Sequence, residues 1–252
     1  MMFKDEFVES TRSLSQVTHD RLRELISQTT PGDRLPSEPK LAKQMGISRA
    51  TLREVMRTFE TQGIIHRKQG VGTFVVQPSQ VIETGLEVLE SLHTLADRIA
   101  LPVQMGDFKM QHRLPTADEK DVLDLQRGQK VIEIIWVMEA ESRPVAYLVD
   151  VLPDDVLSLE DVQQEFNGSV LDLLQTRRGH TLATSRTAIS AAAASADVAR
   201  ALGIQRRDVL LYFEATLFTS EGRAIDCSHS YYLPGYFRFQ VIRRVGPPVN
   251  HP

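Results

Sequence analysis

From Ser15 to Gln28 apolar residues fall at Val17, Leu22, Leu25 and Ile26, with mostly polar and charged residues between them. This spacing predicts an amphipathic helix ending near Thr29-Thr30, before Pro31 and Gly32. A short second helix is predicted over Glu38 to Met45. Ser37 stands at its N-cap, Pro39 falls in a first turn that tolerates proline, and Gly46 supplies the stop. Ser48 then caps a third helix, in which Leu52, Val55, Met56 and Phe59 recur on one face until Gly63 closes it. Beyond Gly63 the pattern changes. Ile64-Ile65 and Thr73-Phe74-Val75-Val76 are β-prone runs flanking a basic, glycine-containing tip, His66 to Gly72, which predicts a hairpin. Three helices and a hairpin outline a winged helix-turn-helix.

Residues 77–85, QPSQVIETG, read as a connector, and Leu86, Leu89, Leu92, Leu95 and Ile99 carry helical spacing over 86–99. The remainder alternates β-prone runs with short helices. Strands are predicted near 104–112, 131–139, 146–152, 181–191, 209–218 and 224–232, and helices near 117–125, 169–176 and 195–202. Turn-like stretches at 140–144 and 220–223 favour antiparallel pairing over βαβ crossovers. The predicted class is α+β: a winged helix-turn-helix over 10–76, a linker and connecting helix over 77–100, and an α/β domain with an antiparallel sheet over 101–245.

Charge sharpens this division. The 252-residue chain sums to −4 overall, yet residues 1–76 hold 12 Lys and Arg against 9 Asp and Glu, or +3, leaving −7 for the rest. Between Arg34 and Val76 the count is 8 basic to 3 acidic. A basic N-terminal module suits a polyanion, and an acidic C-terminal module a different task. The single cysteine, Cys227, excludes an intramolecular disulfide framework, and no cysteine–histidine set has zinc-site spacing, so neither a metal nor a cofactor is expected. No apolar run has the length of a signal peptide or membrane helix, and a cytoplasmic protein is expected.

On the third helix Arg49, Arg53 and Arg57 form a stripe beside the apolar face. A helix entering a major groove reads base edges from its N-terminal residues, and the planar arginine fork suits guanine O6 and N7. Arg49, Ala50, Thr51 and Arg53 hold those positions, with Arg57 farther in as a phosphate contact or solvated residue. Arg34, Ser37, Lys40 and Lys43 are candidates for phosphate, and the tip at Lys68, Gln69, Gly70 and Gly72 for a minor groove or backbone.

The segment PGDRLPSEPKLAKQMGISRATLREVMRTFETQGIIHRKQGVGTFVV, Pro31 to Val76, closely resembles the DNA-binding domain of GntR-type transcription regulators. LPSE, SRATLRE and QGVGTFVV carry the likeness, which implies base and phosphate contacts from Arg49, Thr51, Arg53, Gln69 and Gly70. Where members commonly place an arginine early in the second helix, this chain has Pro39. More loosely, RPVAYLVDVLP, SVLDLLQTRRG and AIDCSHSYYLPGYFRF resemble the UTRA effector domain of the histidine-utilisation-repressor subfamily. That implies a chorismate-lyase-like fold, a small-molecule pocket and a homodimer. A dimer placing two third helices into successive major grooves is expected on a roughly palindromic double-stranded DNA operator under the control of a metabolite effector, and repression is expected because a bound dimer can block polymerase without further contacts.

By the same resemblance, sugar-phosphate-binding members carry arginines on the strand that here reads Ile134-Ile135-Trp136-Val137-Met138, and a glutamate where Leu148 stands. Ser169, Asp226 and Tyr232 still match polar pocket positions. An anion buried without an arginine partner is costly. The effector is therefore expected to be less anionic and more apolar or aromatic than a sugar phosphate, and to touch Trp136, Met138, Leu148, Ser169, Asp226 and Tyr232. Two other readings are weighed. An architectural DNA-binding protein should have a basic or repetitive C-terminal part. An enzyme could use Asp226, Ser228 and His229, but strand alternation sends His229 to the opposite face.

Overall fold

The structure is a computed structural model describing residues 14–61, 64–68, 70–76, 82–177 and 179–241. It divides into two compact units between Pro78 and Ser79. In the first, α1 (Leu14–Gln28), α2 (Glu38–Met45) and α3 (Arg49–Thr61) precede β1 (Ile65–Lys68) and β2 (Gly72–Val75). Leu22 and Ile26 of α1, Leu41 of α2, and Leu52, Val55, Met56 and Phe59 of α3 close one core with Ile65 and Val75 of the hairpin. Gly46 ends α2 in the left-handed conformation, φ 68°, that a Cβ would disfavour. The hairpin is antiparallel, with Ile65 opposite Val75 and Lys68 opposite Gly72. The chain ahead of α2 runs along β2: Leu35 N donates to Thr73 O at 2.8 Å and Gly32 N to Val75 O at 2.9 Å. These backbone bonds pin the wing to the loop that launches α2.

The second unit contains β3 (Ile82–Gly85), α4 (Leu92–Arg98), β4 (Val103–Arg113), α5 (Ala117–Val122), β5 (Val131–Ala140), β6 (Arg143–Pro153), α6 (Leu159–Glu165), α7 (Val170–Thr176), β7 (Leu182–Ala193), α8 (Ala196–Leu202), β8 (Val209–Thr219), β9 (Ala224–Tyr232) and β10 (Phe237–Gln240). Its main sheet has six strands in the order β4-β5-β6-β9-β8-β7, every neighbouring pair antiparallel. Glu141 and Ser142 both take positive φ in the turn joining β5 to β6, the backbone of a tight hairpin. Ser158, Ser169 and Ser195 each cap a helix by accepting a backbone N–H three residues on. The core gathers the apolar faces of β5, β6, β8 and β9 beneath α4, α7 and α8.

Several expectations need correction. The helix expected over 86–99 is present only as Leu92–Arg98, because the Ser91 hydroxyl caps it there, accepting from Thr94 N at 3.1 Å. Residues 86–88 form bends, with Leu86, Val88 and Leu89 exposed rather than packed in a helical stripe. The expected connector 77–85 ends in a strand: β3 pairs in parallel with β10, Ile82 opposite Phe237. Residues 77–81 lie outside the described residues, as does Gly63. α6 and β10 were not anticipated. Ser37 occupies the N-cap position of α2 but makes no side-chain cap hydrogen bond.

Candidate functional site

The candidate DNA-binding surface starts at the cap of α3. Ser48 Oγ accepts from Thr51 N at 3.0 Å and lies 2.9 Å from Thr51 Oγ1, so the Thr51 hydroxyl is already tied to the cap. Arg49, Ala50 and Arg53 are exposed along the first turns. Arg53 Nε donates to Glu38 Oε2 at 2.6 Å, and Arg67 Nε of β1 lies 3.4 Å from Glu38 Oε1. The Glu38 side chain is 15 % exposed and that of Arg53 55 %, so the carboxylate is recessed while the guanidinium stays reachable. Only Nε of Arg53 enters this hydrogen bond, which leaves out the two terminal nitrogens that would form a fork onto guanine.

Arg34, Ser37, Lys40 and Lys43 are exposed around α2 and its approach. The Arg34 guanidinium crosses Gly72: a Cβ there would meet Arg34 Nε at 2.2 Å, so glycine lets this cation lie against the wing. Lys68 stands 5.6 Å over the Phe74 ring, and Gly70 turns the tip at φ 74°. Gln69 lies outside the described residues. Sequence reading missed Glu38 as an organiser. It and Arg53 are fifteen residues apart, and only the packing of α2 on α3 makes them neighbours.

In the second unit, one face of the sheet floors a cavity of about 130 Å³. Trp136 of β5, Leu148 and Asp150 of β6, and Asp226, Ser228 and Ser230 of β9 line it, with Ser169 at the start of α7. Strand pairing explains the grouping: Trp136 is opposite Leu148, and Asp150 is opposite Ser228, so alternate residues of three adjacent strands share this face. Asp226 Oδ1 and Trp136 Nε1 are buried without a hydrogen-bond partner. Burial pushes the Asp150 carboxyl above its ordinary range, although the nearby Trp136 indole favours ionisation without reaching bonding geometry. Burial and then the charge of Asp150 push the Asp226 carboxyl up as well, against a smaller opposing effect of the Val151 and Cys227 amides.

A larger groove of about 630 Å³ adjoins this chamber, and Leu89, Glu90, Leu92, Leu171, Ser185 and Leu217 line both. Tyr232 lines the groove rather than the chamber. Met138, fully buried, packs into the hydrophobic core and is not among the lining residues of either cavity. Ser169 is 6 % exposed, and its oxygen accepts from Asp172 N at 3.0 Å. Asp150 was missed. Its signal was a carboxylate inside the apolar run Tyr147-Leu148-Val149-Asp150-Val151-Leu152. His229 does face away from Asp226 and Ser228, its Nδ1 lying 2.5 Å from the Tyr212 hydroxyl. Among the described residues no group of three or more His, Cys, Asp or Glu could hold a metal ion, and no helix is long and apolar enough to cross a membrane.

Comparison with known proteins agrees with this division of labour. The family model described as bacterial regulatory proteins, gntR family, matches residues 14–75, and that of the UTRA domain matches 108–238. The chain is 28 % identical over 243 residues to the HTH-type transcriptional regulator Rv0792c of Mycobacterium tuberculosis, covering 92 % of this chain and 86 % of that one. It is 26 % identical over 207 residues to the HTH-type transcriptional repressor NagR of Bacillus subtilis, covering 81 % and 83 %. The crystal structure of PhnF from Mycobacterium smegmatis matches with a TM-score of 0.60 at 19 % identity, over 91 % of this chain and 100 % of that one, a likeness of fold.

Proposed function

This chain belongs to the gntR family of bacterial regulatory proteins and carries a UTRA domain, and from that premise we propose that it is a cytoplasmic repressor. It acts as a homodimer, setting two α3 helices into successive major grooves of a roughly palindromic operator. Arg49 and Arg53 read bases, Ala50 and Thr51 make close contacts beside them, and Arg34, Ser37, Lys40 and the wing bind phosphates. The observation that carries this reading is the exposed start of α3, where Arg49, Ala50 and Arg53 are presented beside a wing crossed by Arg34. The names of relatives such as the NagR repressor support repression.

The cavity receives the effector. Residues 84–92, next along the chain after β3 begins, supply much of the groove wall, so an occupant would set the course of the segment leading back to the reading unit. A coupling of about 1–3 kcal/mol would change operator affinity roughly 5- to 150-fold. An electrophoretic shift of operator DNA, reversed by a metabolite, tests the whole reading. A shift that no metabolite in a broad panel alters would instead favour an architectural protein.

A further inference from the structure

Among the described residues, every ionisable side chain with an ordinary pKa near or below neutrality that lines the chamber and the groove is an acid: Glu87, Glu90, Asp150 and Asp226. No lysine, arginine or histidine is among them, and His93 stands behind the lining, its ring 5.9 Å from that of Trp136. Glu90 is already paired with Arg98. Asp150 and Asp226 have no such cation, and Asp226, 6 % exposed, keeps an unpartnered Oδ1. Buried carboxylates are normally paired or hydrogen-bonded, so this arrangement is incomplete without an occupant. The rest of the surroundings is apolar or weakly polar: Trp136 and Leu148 in the chamber, Leu171, Phe213 and Phe239 in the groove.

We propose that the effector is an organic cation, with a protonated nitrogen seated between Asp150 and Asp226 and an apolar or aromatic body extending into the groove. Such a nitrogen donates to the open Oδ1 and supplies the charge that the two acids lack. A neutral polyol can hydrogen-bond the open Oδ1 but brings no charge to the pair, and an anion would face Asp150 and Asp226 with no cation among the lining residues. A bare metal ion would find too few ligands, since no group of three or more His, Cys, Asp or Glu placed to hold one is present among the described residues. This inference rests on the effector-controlled reading above and specifies the ligand of that site.

The chain has one tryptophan, Trp136, and it lines the chamber, so intrinsic fluorescence reports occupancy. The full-length protein is titrated with phenethylamine and a panel of other aryl- and alkylamines, and with phenethyl alcohol and 3-phenylpropionate as neutral and anionic counterparts. Amines are expected to change the fluorescence and raise Tm, while the alcohol and acid bind at least about tenfold more weakly. Asp150→Asn and Asp226→Asn, each checked as folded by its own unfolding transition, should weaken amine binding by about tenfold or more. Equal or stronger binding of the acid, no amine binding at millimolar concentration, binding of Mg²⁺ or Ca²⁺ alone, or amine binding undiminished in either variant would overturn the inference. An operator shift with the ligand-free wild-type protein is run in parallel. If the shift occurs and amines fail, the cation inference alone is lost. If no DNA shifts, the regulatory reading itself fails.

Discussion

Glu38 Oε2 accepts a 2.6 Å hydrogen bond from Arg53 Nε, so the first residue of α2 orients an arginine of α3 in the DNA-free protein. If Arg53 reads a base as proposed, pre-ordering of this kind would lower the entropic cost of engaging it and restrain a cation that would otherwise bind any phosphate. Arg49→Ala and Arg53→Ala are each expected to cost about 1–3 kcal/mol of operator affinity while leaving the fold intact. Glu38→Gln should narrow the gap between operator and random DNA, because it loosens Arg53 and removes an acidic group near phosphate. Fluorescence anisotropy with both DNAs measures each effect. Unchanged discrimination in Glu38→Gln would remove the tether from the readout.

Contacts to phosphate have a separate signature. Lys40→Gln and Lys43→Gln should weaken operator and random DNA alike, and each should flatten the plot of log affinity against log salt by about 1. A residue whose removal leaves that slope unchanged is not a phosphate contact.

The acid pair makes stability pH-dependent. Asp150 and Asp226 have folded-state pKa values raised above those of the unfolded chain, so the native state holds more protons in the interval between. Their contribution is fully present below the ordinary carboxylate value of about 4 and is lost as pH rises through their raised folded-state values, about 7 for Asp150. Tyr232 and Cys227 beside them are pushed by burial to about 12 and stay protonated throughout. Asp226→Asn should therefore raise Tm by about 2–4 °C at pH 8. The gain should shrink towards zero near pH 4, as thermal melts across pH will show.

Arg113 anchors the far edge of the sheet. Its guanidinium makes two 2.7 Å bonds to Glu119 of α5 and bonds of 2.7 and 3.0 Å to Glu133 of β5. Glu119 is held below the ordinary carboxylate range, chiefly by the Arg113 hydrogen bonds. Arg113→Ala strands two recessed carboxylates and is expected to cost about 3 kcal/mol, read as a lower urea midpoint. The double change Arg113→Met with Glu119→Gln should recover part of that loss.

Much of this was legible along the chain because it rests on local chemistry. Glu38–Met45 appears with the limits that Ser37 and Gly46 imply, and the hairpin follows from two β-prone runs around a glycine-rich tip. Alternation located six strands of the second unit near where they lie, and it separated His229 from Asp226. The stripe 86–99 misled, because the spacing of Leu86 and Leu89 fits a helix and the wall of a groove equally well. β10, at four residues, carries too few positions for a period to show, and α6, as long as α7 and α8, went unread although Ser158 and Asp161 form its capping box.

By itself, then, the sequence determined the winged helix-turn-helix, the basic start of α3 and the acidic, strand-rich character of the second unit, since these depend on residues near one another in the chain. Tertiary structure alone decided the partner of Arg53, the withdrawal of Met138 into the core, and the meeting of Asp150 with Asp226. Helix packing and strand register join residues far apart in sequence, and no local pattern records which will share a face.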